Sequence, residues 1–204
     1  MSDNGHAENA HEKKQPANPN YKIPLVLPII ALLVIAGMWF YADRYDPGSP
    51  QNVVANLYKA LNAKQYDKVA ESFNVTFLAE FMPEYLDKKP SELLAVRSEL
   101  VKKGSELFAK QQTEGTFTVT VLAANTKVGD YAAVVPYYLE MDGQKQLLAA
   151  ILVKENGSFK ILSISGFSEA IMQEFSNAKF QVLEENIKAE FEQAENAQGA
   201  AAAH

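Results

Sequence analysis

The chain predicts an α+β domain in which helices pack on an antiparallel four-stranded meander, preceded by one transmembrane helix and followed by a long amphipathic helix. Three observations carry that expectation. Residues 116–166 fall into short apolar or alternating runs separated by turn dipeptides. Residues 23–42 are uncharged and apolar throughout. Residues 168–197 repeat apolar side chains at helical spacing.

Residues 1–22 are polar and Asn-rich, too poor in apolar groups to offset the entropy of ordering, and read as a disordered cytoplasmic tail. His6 and His11 lie there without further ligand types, so no metal site is expected. Ile23 to Ala42 follows. Some 20 apolar residues at a rise of about 1.5 Å cross a hydrocarbon core of roughly 30 Å. Trp39, Phe40 and Tyr41 stand at the far interface, and Pro24 and Pro28 fall in the first turns. A cleaved signal peptide competes with an uncleaved anchor; the long polar leader favours the anchor. Lys13, Lys14 and Lys22 before the span, against Arg44 after it, put the N-terminus in the cytoplasm and the domain outside it. A bacterial inner membrane with a periplasmic domain is the expected setting.

Residues 43–49 form a linker ending in Ser49, a good N-cap, before Pro50, a good first helical residue. Val53, Val54, Leu57, Tyr58 and Leu61 then repeat at helical spacing. A short helix is expected over 66–73, an apolar cluster at Phe77, Leu78, Phe81 and Met82, and one longer helix over 91–111 weakened by Gly104.

In the meander, Asp142-Gly143 and Asn156-Gly157 suit the positive φ angles of tight hairpin turns. Strict alternation puts Phe117, Val119, Val121, Tyr131, Ala133, Val135, Tyr137, Leu147, Ala149, Ile151, Phe159 and Ile161 on one face. It puts Val134, Tyr138, Leu148, Leu152, Leu162 and Ile164 on the other. Both faces are therefore apolar, and both need cover. The helix over 168–197, capped by Ser168, offers a stripe of Ile171, Phe175, Ala178, Val182, Ile187, Phe191 and Ala194, widened by Phe180 and Leu183. It either covers the second face of its own sheet or pairs with another copy or another protein. Residues 198–204 read as a frayed end.

The run Ser49-Pro50-Gln51-Asn52-Val53-Val54, the stretch from Tyr58 to Ala70 and the strand start Gly157-Ser158-Phe159-Lys160-Ile161 resemble NTF2-like domains, in the style of small bacterial envelope proteins. The resemblance covers residues 50–167 and implies a cone: helices packed in the curve of an antiparallel sheet. The anchored topology also resembles VirB8-like secretion scaffolds, whose Asn-Pro-x-Gly motif is missing here.

Composition narrows the chemistry. The chain has 204 residues and a formal net charge of −6, all of it beyond residue 22, which disfavours a nucleic-acid surface. It has no cysteine, which removes disulfides, thiolate metal sites and a thiol nucleophile. Beyond the span its one histidine is His204, which leaves no histidine base. Gly166-Phe167-Ser168-Glu169-Ala170 fails as a nucleophile elbow because Ala170 stands where glycine is needed. Asp130, Glu140 and Asp142 sit at or near turns and are expected to face solvent. No catalytic, cofactor or metal residues are therefore assigned. The expected role is a non-catalytic, membrane-anchored scaffold or interaction subunit of an envelope complex, binding a protein partner or itself. A small-molecule or lipid-binding module is the alternative, and a hydrolase or isomerase comes third. Partner or cavity contacts are expected at Tyr137, Tyr138, Leu148, Leu152, Phe175, Val182, Ile187 and Phe191.

Overall fold

A computed structural model describes residues 48–111 and 115–197. The polar leader, the apolar segment from Ile23 to Ala42, most of the linker and residues 198–204 lie outside the described residues. Among those described, no helix is long and apolar enough to cross a membrane.

Helix α1 (Pro50–Asn62) begins as its sequence requires. Ser49 Oγ accepts from the Asn52 N–H, and Pro50 stands where its missing N–H is not needed. Next come α2 (Tyr66–Glu71), α3 (Val75–Ala79) and a single 3-10 turn (Pro83–Tyr85). The one helix expected over 91–111 is two, α4 (Pro90–Ala95) and α5 (Arg97–Lys110). Val96 leaves helical geometry at φ −108° and ψ 18°, and Arg97, just past the jog, reaches a carboxylate on the sheet. Gly104 is buried in α5, where a Cβ would stand 3.0 Å from Leu78 Cδ2 and 3.5 Å from Ala70 Cβ. Its low helix propensity is the cost of packing α5 closely on α2 and α3.

The sheet is antiparallel, curved and unclosed. Its strands are β1 (Phe117–Val121), β2 (Lys127–Val128), β3 (Ala132–Met141), β4 (Gln144–Glu155) and β5 (Ser158–Gly166). The order is β1-β3-β4-β5, and the two-residue β2, absent from the sequence expectation, pairs with β3 past the end of β1. Both hairpin turns match their dipeptides, with φ of 52° and 76° at Asp142-Gly143 and 51° and 81° at Asn156-Gly157. Pro136 lies within β3, where proline is usually excluded. Its carbonyl accepts from the Leu122 N–H on the β1 side. The same residue's missing N–H therefore faces the gap between β1 and β2, where no ladder partner is lost.

The expected face assignment needs correction. The register pairs Tyr137 with Leu148 and Ala133 with Leu152, so these four share the face turned toward α1–α5. Ala149, Ile151 and Tyr131 pack on the opposite face. Strand β4 was set one residue out of phase because its apolar run has no polar position to mark the alternation. A bulge adds the second correction. Ile151 pairs with Ser163 but Leu152 with Ile161, which leaves Leu162 as an extra residue. Phe159 and Ile161 point to the helices before the bulge, and Ile164 does so after it.

The second face is covered by the chain itself. The C-terminal segment is not one helix but α6 (Glu169–Glu174) and α7 (Asn177–Ala197), broken at Phe175 and Ser176. Ser168 caps α6 as expected, accepting from the Ile171 N–H. The break resets the helical phase. Phe180, Leu183, Ile187 and Phe191 turn to the sheet, at steps of three, four and four. Ile171 and Val182, placed on the buried stripe by sequence, are exposed.

Candidate functional site

The residues expected at partner or cavity contacts divide between the two faces of the sheet. Tyr137, Leu148 and Leu152 belong to the core under the helices. Phe175, Ile187 and Phe191 pack on the far face, Phe175 against Phe167 and Phe180, and Phe191 against Tyr131. Val182 faces solvent. Tyr138 lies on the α7 side, donating to Glu169 at 3.2 Å with the Lys145 ammonium over its ring. The sheet keeps these residues from forming one site.

At the centre of the helix-facing core, the Tyr58 and Tyr137 hydroxyls meet at 2.8 Å. Tyr137, Val135, Leu152 and Ile161 have no solvent contact at all, so no water-sized space lies beside them. Burial pushes both phenols above their ordinary range, Tyr137 further because Tyr58 also stands against its ionisation. A raised native value contributes stability that is complete below the unfolded value and lost as pH rises past it. The domain is therefore expected to lose stability above about pH 10. In an alkaline titration followed at the tyrosinate absorbance, these two phenols should ionise only with unfolding. The Tyr58→Phe, Tyr137→Phe double variant should flatten that dependence.

Two carboxylates do structural work that sequence reading did not assign. Glu155, at the end of β4, is nearly fully buried. It accepts from Asn74 Nδ2 at 2.8 Å and the Val75 N–H at 3.0 Å, and pairs with Arg97. Arg97 and Lys160 both donate to the Glu71 carbonyl at the end of α2. Burial, then the nearby Arg97 charge, lower the Lys160 ammonium. Glu184, on α7, accepts from the N–H groups of Tyr131 and Ala132 at 2.7 and 2.8 Å. Its carboxylate fills the space beside Gly129, which leaves no room for a Cβ there. Nothing in the local pattern around Glu155 or Glu184 separates them from surface acids; both roles depend on pairings more than 50 residues apart. Asp130, Glu140 and Asp142 are exposed, as expected. Among the described residues, no group of three or more histidine, cysteine or acidic side chains could hold a metal ion.

The surface carries two apolar or strand-edge features. Phe108, Phe73 and Phe77 stack in turn, and Phe77 meets a half-exposed Phe81 edge-on, beside a groove of about 150 Å³ between α3 and α5. On the opposite flank, Asn62 at the end of α1 clamps Phe117 of β1, donating to its carbonyl and accepting from its N–H, both at 2.8 Å. A cavity of about 230 Å³ lies between α1 and β1 there. A scan against protein-family models found no match for this chain, and a search of curated proteins found none.

Proposed function

We propose that the protein is a non-catalytic, membrane-anchored interaction subunit of a bacterial envelope complex, with an NTF2-like domain held outside the cytoplasm by the segment from Ile23 to Ala42. The closed interior is the observation that carries this reading. A cone that held a substrate or lipid would keep space beside Tyr137 and Leu152, and these side chains are sealed from solvent. The Tyr58 and Tyr137 hydroxyls satisfy each other, and the Glu155 carboxylate is taken up by Asn74 and the Val75 N–H within the fold. The functional surface is then the exterior, where apolar groups such as Phe81 and Leu86 stand more than half exposed. The N-terminal span and the orientation rest on the sequence, through its apolar run and its lysine bias.

The reading is tested by cross-linking in intact membranes, followed by detergent purification of the full chain. A stable complex with another envelope protein, or a defined oligomer, is expected. Recovery of monomer alone, or of a chain in the soluble cytoplasmic fraction, would refute it. Native mass spectrometry of the same material tests the lipid-binding alternative, for which a co-purified small molecule is required.

A further inference from the structure

The edge of β1 carries a more specific assignment, which rests on the interaction reading above. In an antiparallel strand, alternate residues direct both backbone groups to the same side. Phe117 directs its N–H and carbonyl away from β3, to Asn62, while the Leu122 N–H bonds toward β3 at Pro136. Val119 and Val121 therefore face outward with Phe117. No hydrogen bond from another described residue reaches their outward groups. Asn62 supplies at the first rung what an added strand would supply at the next two. Beside the open rungs lies the 230 Å³ groove, walled by Ala55, Tyr58, Lys59 and Asn62 of α1 and by Thr118 and Val119 of β1. Among the described residues Lys59 is its one charged lining group, and it is exposed.

We propose that this edge takes an extended peptide of a partner protein as an added strand, hydrogen-bonded to Val119 and Val121, with an acidic side chain of that peptide against Lys59. An unpaired edge is a template for strand addition, and the helix beside it supplies side-chain selectivity. The lone cation sets the sign of the charge.

The test pans the full-length protein in detergent against displayed random peptides of about ten residues. Expected binders are free of proline, carry an acidic residue, and slow amide exchange at Val119 and Val121. The amides of Ile164 and Gly166, on the opposite edge of the sheet, serve as controls and should be unaffected. Val119→Pro removes the outward N–H and no bond to β3; it should weaken binding by at least about tenfold. Val119→Thr should bind normally. Lys59→Glu, an exposed change that leaves the fold intact, should weaken the acidic binders by about tenfold and serves if the proline variant melts early. No enrichment, equal binding to Val119→Pro and Lys59→Glu, protection at Ile164 instead, or self-association at β1 would each overturn the assignment. If membranes yield a partner whose cross-links avoid β1, this inference fails and the interaction reading stands. If they yield monomer alone, both fail.

Discussion

Replacing Glu155 with alanine is expected to destabilise the domain by about 3–5 kcal/mol, the range for removing one member of a buried ion pair. The reason is the number of groups that depend on one carboxylate. Asn74 Nδ2 and the Val75 N–H, both buried, would lose their acceptor, and Arg97 would keep its charge without a counterion. The loss would also separate three pieces of chain: the β4–β5 hairpin, the start of α3 and the start of α5. At roughly 2–4 °C per kcal/mol for a domain of this size, thermal unfolding should move down by about 6–20 °C. Arg97→Ala should cost less, because Glu155 would retain Asn74 and Val75 and because the guanidinium is already one-fifth exposed. Thermal denaturation of the two variants, followed by circular dichroism, checks the order. An Arg97 variant less stable than the Glu155 variant would show that the carboxylate is not the hub.

The second large effect is expected at the fastening of α7. Glu184→Ala removes two charge-assisted bonds to the Tyr131 and Ala132 N–H groups and should cost about 1.5–3 kcal/mol. Unlike the Glu155 change, its effect should be local. Helix α7 holds the sheet through a few side chains, of which Phe180 and Ile187 are the buried ones. Amide exchange in residues 177–197 should accelerate well before exchange in β3 and β4 does. Gly129→Ala should reproduce the result from the other side, since its Cβ would take the place of the Glu184 carboxylate. Uniform acceleration across the domain would show that the helix and sheet open as one unit.

How far the chain could be read from its residues depended on whether each signal was local. The cap at Ser49 and Pro50, the Asp142-Gly143 and Asn156-Gly157 turns and the meander order are set within a few residues, and the structure has them as expected. The phase of β4 was not local. Leu147 to Val153 is apolar at every position, so only the pairing with β3 decides which face each residue takes. The break at Phe175 and Ser176 was hidden because apolar spacing on either side of it still satisfies a single helix. Of the residues expected at partner or cavity contacts, Tyr137, Leu148 and Leu152 lie in the core under the helices and Val182 faces solvent, and the β1 edge was not among them. An open rung is a property of backbone direction, and no side chain announces it.

The extra residue at Leu162 gives β5 one residue to spare. On one side of it the core is supplied by odd-numbered positions, on the other by even-numbered ones. Deleting Leu162 would remove the bulge and restore plain alternation, with Ile164 still opposite Ala150 and turned to the helices. Inserting one more residue between Ile161 and Ser163 would instead turn Ser163 toward the helices and Ile164 toward α7, even though every residue type in the strand remained. This segment should therefore accept the loss of its spare residue far more readily than a further insertion.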